Sequence, residues 1–270
     1  MNAGSPSPIV VKLGGSVLTR KGEDRRARPK VIHRLALELA EGHRERPTPL
    51  VVVHGAGSFG HPQALRYGLS KAPSDQERPV GRDRGAALTA WSVRDLHQSV
   101  LRALLDAGLP AFSVAPFPLM ENRQGSSTGI PLAPFQRILS RGGVPVTYGD
   151  VVLDGAWGFS ILSGDTLVGE IARGVGSHHA LFVSDVPGVL ESRRPGPQRI
   201  VRTLSEATVE SLAPSTGVPD VTGGLRGKVQ VMLALARDGV SCGLIGGLTP
   251  GLLSRALRGE DVYGSWARPP

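Results

Sequence analysis

Three short runs of β-branched and apolar residues, each ending in a glycine-rich turn, constrain this chain more than any other feature. Ile9-Val10-Val11-Lys12-Leu13 runs into Gly14-Gly15-Ser16. Leu50-Val51-Val52-Val53 runs into Gly55-Ala56-Gly57, and Leu181-Phe182-Val183 into Ser184-Asp185-Val186-Pro187-Gly188. Continuous apolar runs, without polar alternation, suit strands buried on both faces, and such strands belong to a mostly parallel sheet sandwiched by helices. The first run is followed, after a basic loop, by Ile32, Leu35 and Leu39 at helical spacing, so the unit is strand, turn, helix. The fold class is α/β.

The same patterning predicts a long helix over 85–107, a strand at 111–114, a helix at 134–141 and a strand at 144–147. Asp154-Gly155 separates two apolar runs, 151–153 and 157–161, and predicts a hairpin with a type I′ turn. Helices are expected at 165–173, 205–212 and 225–237, then a strand at 242–245 and a short closing helix. The polar stretches 70–84 and 191–198 read as loops, neither long enough to link independent domains, so residues 1–270 are expected to form a single compact domain.

Composition excludes several function classes. Of 270 residues, 58 are Gly or Pro and only 12 are aromatic, which disfavours a helix bundle and leaves little for stacking nucleic-acid bases. The formal charge of +8 suits an anionic partner, but scattered Arg is ordinarily a solvated surface. Cys242 is the lone cysteine, so there is no disulfide framework and no cysteine zinc site. The opening residues hold no apolar signal core, and no apolar run approaches the roughly 20 residues that cross a bilayer. A cytoplasmic protein without nucleic-acid or membrane partners is expected.

Gly55-Ala56-Gly57-Ser58-Phe59-Gly60 matches the G-x-G-x-x-G dinucleotide pattern, which taken alone suggests an NAD(P)-binding oxidoreductase. That pattern also needs an acidic residue about 20 positions on, at the end of the next strand. Asp75 has the spacing but lies in Lys71-Ala72-Pro73-Ser74-Asp75-Gln76-Glu77, where no strand fits. No Walker-type sequence occurs either. What the chain offers instead is three glycine-rich strand ends plus Gly223-Gly224 ahead of a helix, and in a wound sheet such turns gather at one edge as anion cradles. Several cradles on one edge suit a ligand with more than one phosphate.

The lysines sharpen this. The chain has 31 Lys plus Arg, yet only Lys12, Lys21, Lys30, Lys71 and Lys228 are lysines. Lys12 ends the first strand, Lys21 lies in the loop beyond it, and Lys228 sits one helical turn past Gly224. A compact, rotatable ammonium at these places, in a chain that otherwise uses Arg, suits phosphoryl transfer.

In their order along the chain, Lys12-Leu13-Gly14-Gly15-Ser16, His54-Gly55-Ala56-Gly57-Ser58-Phe59-Gly60-His61-Pro62, Ser163-Gly164-Asp165, Ser184-Asp185-Val186-Pro187-Gly188-Val189 and Asp220-Val221-Thr222-Gly223-Gly224 through Lys228 resemble the amino-acid kinase superfamily, and specifically its isopentenyl phosphate kinases. The resemblance runs from residue 9 to about 257, and His61 is its discriminating residue. It implies a three-layer αβα sandwich, usually homodimeric, with an acceptor-binding half over about 9–160 and a nucleotide half over about 161–257. It implies transfer of the ATP γ-phosphoryl group to isopentenyl phosphate, with Mg²⁺ carried on the ATP phosphates rather than by protein ligands. By the same resemblance Lys12 and Lys228 bridge the phosphates, Lys21 stabilises the transition state, and Asp165 orients the two main lysines. Ala56, Gly57, His61 and Gly164 take acceptor-site positions. Gly14, Gly15, Ser16, Gly57, Asp185, Gly188 and Gly224 take ATP positions.

Two residues depart from the family pattern. Ala56 stands where a glycine is usual, which is tolerable only if that backbone needs no positive φ. Pro187 replaces an aspartate and removes one N–H donor from the nucleotide loop. Ala86, Ala87, Thr89 and Ala90 are expected to give the alkyl pocket small walls, leaving room for longer prenyl phosphates. The rival readings are a fosfomycin-type phosphonate kinase of the same family, the oxidoreductase, and a nucleic-acid-binding or regulatory module.

Overall fold

A computed structural model of the chain describes residues 6–73, 81–190, 199–212 and 224–270. From the amino end it runs β1 (Ile9–Leu13), α1 (Gly15–Leu18), α2 (Pro29–Glu45), β2 (Leu50–His54), a 3₁₀ turn (Gly57–Phe59), α3 (His61–Arg66), α4 (Arg82–Asp106) and β3 (Ala111–Ser113). The middle of the chain forms α5 (Pro116–Leu119), β4 (Glu121–Arg123), β5 (Ser126–Ser127), α6 (Ala133–Leu139), β6 (Val144–Tyr148), β7 (Asp150–Asp154) and β8 (Gly158–Leu162). The rest is α7 (Gly164–Gly174), β9 (His179–Ser184), α8 (Glu206–Ser211), α9 (Gly224–Arg237), β10 (Ser241–Gly246), α10 (Leu252–Leu257) and β11 (Gly264–Ala267).

The expected sheet is present. Among the described residues seven strands pair in the order β11-β10-β9-β1-β2-β6-β3, and every pair is parallel except β10 with β11. Alternation along each strand sorts the core into two layers. Ile9, Val11 and Leu13 of β1 with Leu50 and Val52 of β2 pack under α2, α4 and α10, against Leu35, Leu39, Leu96, Val100 and Leu253. Val10, Val51 and Val53 face the other way, against Leu167, Ile171, Val229 and Met232 of α7 and α9. Each such side chain removed from water contributes about 1.5–3 kcal/mol. The result is helix, sheet, helix.

The chain leaves β1 toward β2 on one side and later returns to β9 on the other. The carboxyl ends of β1, β2 and β9 therefore meet at the point where strand order reverses, the place where open α/β sheets bind ligands. All three glycine-rich turns lie there.

A smaller sheet, in the order β5-β4-β7-β8, carries the expected hairpin, but its turn differs. Asp154 pairs with Gly158 across a three-residue connection, and Gly158, not Gly155, takes the positive φ of 78°. The Asp154 carboxylate accepts hydrogen bonds from the backbone N–H groups of Gln124, Gly125, Ala156 and Trp157, which favours the longer connection over a type I′ turn. The long helix begins at Arg82, inside the stretch expected to be loop. The loop 191–198, Asp75, and the segment Asp220 to Gly223 lie outside the described residues.

Candidate active site

A cavity of about 670 Å³ opens at the carboxyl ends of β1, β2 and β9. It gathers Lys12, Gly14, Gly15, Ser16, Lys21, Ala56, Gly57, His61, Gly164, Asp165, Asp185, Gly224 and Lys228 from five separate stretches of sequence. Gly188 is the exception among the expected site residues. It is buried away from the cavity, where an added Cβ would come 2.8 Å from Ile200 and from the Ser265 hydroxyl. Its glycine is there for packing against β11.

The glycine turns do more than bend. A Cβ on Gly15 would stand 2.3 Å from the backbone nitrogen of Gly57, so the loops after β1 and β2 touch main chain to main chain. Both loops line the cavity, and glycine-rich turns of this kind suit a polyphosphate.

Lys12 occupies the β1 face shared with Val10, so its side chain enters the layer of α7 and α9. A lysine in a strand buried throughout is tolerable only with a partner. Asp165, in the first turn of α7, supplies it at 2.7 Å, and its two oxygens also accept from Lys228 Nζ at 3.2 and 3.3 Å. Ser163 caps α7 by accepting from Thr166 N–H, which fixes the turn that presents Asp165. Gly164 lets the lysine pass: a Cβ there would meet Lys12 Cε at 3.1 Å.

Burial pushes the Lys12 ammonium down to about 8, with Asp165 opposing and Lys228 adding to the fall. Burial alone would raise the Asp165 carboxyl, but Lys12 and Lys228 outweigh it and hold it at about 2. The centre sets two lysines around one carboxylate, each side chain largely buried. It has positive charge to spare for a ligand.

Lys21 is placed differently. Its Nζ lies 3.0 Å from Asp185 at the end of β9, with its side chain 68% exposed. Asp185 also accepts from the hydroxyls of Ser16 at 2.6 Å and Ser184 at 3.3 Å. Burial disfavours its charge, yet the Ser16 hydroxyl and Lys21 together hold it below the ordinary carboxylate range.

The lining also carries apolar side chains. His61 opens α3 there, with Ala64, Leu65, Val93, Ile161 and Leu162 on the same lining. Ala56 sits at φ −75°, so its methyl is unstrained and the departure from glycine leaves the loop intact. The small-walled pocket is only partly as expected. Of the four helix residues Thr89 lines the cavity, Ala86 and Ala90 are buried in a side cluster with Ala64, Leu69 and Val151, and Ala87 faces solvent.

Sequence reasoning missed the supports. Thr19 Oγ1 donates to Gly15 O and accepts from Ser58 N–H, tying the two glycine loops together. Beneath β2, His54, His97 and Tyr148 stack, with His54 Nε2 3.1 Å from His97 Nδ1, and burial holds the two imidazoles at about 4 and 3. Asp150, at the start of β7, is a further cavity residue that burial pushes up to about 7. The bonds from Ser58 to Thr19 and from His54 to His97 join positions about 40 apart in sequence and leave no local signal.

Among the described residues no three His, Cys, Asp or Glu side chains are grouped to hold a metal ion. Both Asp165 oxygens are engaged by lysines.

Residues 7–245 match the sequence profile of the amino acid kinase family. The isopentenyl phosphate kinase of Methanothermobacter thermautotrophicus is 37% identical over 264 residues, covering 95% of this chain and 97% of that protein. That of Haloferax volcanii is 34% identical over 269 residues, covering 94% and 100%. Among solved structures, an X-ray structure of isopentenyl phosphate kinase superposes with a TM-score of 0.82 at 34% identity, over 96% of this chain and 99% of its own. The product complex of the T. acidophilum isopentenyl phosphate kinase gives 0.77 at 25% identity, over 97% and 100%. The chain belongs to the amino acid kinase family, grouping with its isopentenyl phosphate kinases.

Proposed function

We propose that this phosphotransferase moves the γ-phosphoryl group of ATP onto isopentenyl phosphate, giving isopentenyl diphosphate and ADP. The observation that carries the reading is the convergence of Lys12, Lys21 and Lys228 with glycine-rich turns on one cavity whose lining also holds His61 and apolar side chains. Both substrates are anions. Two unit charges 4 Å apart repel by about 4 kcal/mol at an effective dielectric near 20, and multiply charged phosphates repel more. Preorganised lysines and N–H groups offset that repulsion, and for this chemistry positioning and charge stabilisation are most of the catalysis.

In this reading Gly14, Gly15, Ser16, Gly57, Asp185 and Gly224 hold the nucleotide. Lys12 and Lys228 bridge its phosphates, and Asp165 aims them. Lys21 accompanies the transferred group. His61 hydrogen-bonds the acceptor phosphate, with Ala56 and Gly164 beside it. No general base is required, because the acceptor oxygen is already ionised. Mg²⁺ riding on the ATP phosphates supplies further charge neutralisation. A single domain over 1–270, a homodimer and a cytoplasmic enzyme belong to the same reading by family likeness.

The test is ATP-dependent phosphorylation across isopentenyl, dimethylallyl and geranyl phosphates, fosfomycin and acidic amino acids. Isopentenyl phosphate should be the preferred acceptor, and preference for fosfomycin or an amino acid would overturn the assignment. His61→Ala should raise the acceptor KM roughly tenfold or more, the worth of one charge-assisted hydrogen bond, while the ATP KM stays put. An unchanged acceptor KM would remove His61 from that role.

A further inference from the structure

Lys21 stands on a short loop closed by the antiparallel bridge Thr19↔Ala27 and by the hydrogen bond from Arg20 N–H to Arg26 O at 2.8 Å. Lys21, Gly22, Glu23 and Asp24 of its tip line the cavity, whereas Arg25 does not. Arg25 turns outward to α4. Its guanidinium carbon lies 4.2 Å over the centre of the Trp91 ring, and its Nη2 meets Asp95 Oδ2 at 2.7 Å. Trp91 and Asp95 are four residues apart, so they share one face of the helix and form a joint receptor for a planar cation. The main chain is fastened as well: Arg25 N–H donates to Ser58 O at 3.2 Å and Arg26 N–H to Ser58 Oγ at 3.1 Å. Arg25 sits at φ +48°, a left-handed conformation that a non-glycine residue keeps only where its surroundings hold it.

We propose that Arg25 is a positioning residue for Lys21, a tether that fixes the loop on α4 so that the exposed ammonium stays over the cavity. The inference rests on the phosphotransferase reading above. One side of the loop tip reaches Asp185 through Lys21, and the other reaches Trp91 and Asp95 through Arg25. Because the Lys21 side chain is mostly exposed, its own surroundings do little to fix it, and the loop has to supply the geometry. Arg25 touches no reacting atom.

The test is a double-mutant cycle on the full chain with Lys21→Ala, Arg25→Ala and both together, measuring kcat, both KM values and the melting temperature. Arg25→Ala is expected to lower kcat about tenfold or more, as misplacing a catalytic group does, with both KM values little changed. In the Lys21→Ala background it should cost nothing further in kcat, since there is no ammonium left to place. Arg25→Lys should recover part of the loss through Asp95 but not the flat stack on Trp91. Asp95→Asn, on an exposed helix face, should reproduce a smaller loss. Normal kcat in Arg25→Ala, or the same factor lost with and without Lys21, overturns the inference. Undiminished kcat in Lys21→Ala overturns it together with the role of Lys21. A readout independent of substrate separates it from the functional reading: amide hydrogen exchange over 20–26 should rise in Arg25→Ala, and unchanged exchange there overturns the tether even if isopentenyl phosphate is turned over.

Discussion

Lys12 and Lys228 meet Asp165 where the three side chains are 8, 14 and 7% exposed, whereas Lys21 meets Asp185 with its own side chain 68% exposed. The bond types are the same and the consequences opposite. In the buried centre each charge depends on the others, and losing one leaves the rest uncompensated in a medium that solvates them poorly. Its geometry is set before any ligand arrives, so little reorganisation remains for the reaction. The Lys21–Asp185 pair is solvated on its lysine side and weaker, and the place of its ammonium is set by the loop that carries it rather than by burial. The chain thus keeps one cationic site fixed by burial and one fixed by its loop around the same cavity.

Removing the buried counter-ion should have the largest effect. Asp165→Asn is expected to cost about 3–5 kcal/mol of stability and to lower kcat at least about a hundredfold, read from denaturant unfolding and steady-state kinetics. A mild outcome would put the centre on the same footing as the exposed pair.

The pH profile comes next. In the proposed reaction Lys12 acts as a cation, and burial pushes its ammonium down to about 8, so kcat/KM is expected to fall as pH rises beyond that, approaching about tenfold per unit. The inflection should persist in Lys21→Ala, because the titrating group lies in the buried centre. On the acid side the Asp165 carboxyl, ordinarily near 3.8, is held at about 2. Its stabilisation is therefore complete above 3.8 and is lost as pH drops toward 2, which acid unfolding would show.

The smallest expected effect is at the exposed pair. Asp185→Asn should cost about 1–2 kcal/mol of stability, chiefly through its bond to Ser16, and lower kcat a few-fold, and added salt should mimic part of that loss in the unaltered protein. A stability loss of several kcal/mol would erase the contrast between the two lysine sites.

The sheet was legible because β1, β2 and β9 are buried on both faces, and burial of that kind writes itself as an unbroken apolar run. The lysines were legible because the chain uses so few. β11 was not: Gly264–Ala267 has no run of its own and becomes a strand by pairing antiparallel with β10. Gly188 misled for a related reason, since its sequence context suits an anion turn while its surroundings, Ile200 and Ser265, arrive from elsewhere in the chain. The hairpin turn followed the Asp154 carboxylate, whose partners Gln124 and Gly125 belong to another strand connection. The tether of Arg25 to Trp91 and Asp95 spans about 70 positions and has no periodic trace.

The unstrained methyl of Ala56 also has a bearing on how this loop can diverge. An added Cβ at Gly60 would come 2.5 Å from that methyl and 3.1 Å from Val93 Cγ2. Positions 56 and 60 are therefore not independent sites of variation: having accepted Ala56, the chain has closed position 60 to anything larger than glycine. A lineage that reverted to glycine at 56 would reopen position 60 only so far as Val93 can give way. Which of the two substitutions came first decides which remains possible, so the order of mutations, and not only their sum, is constrained by a space about one methyl wide.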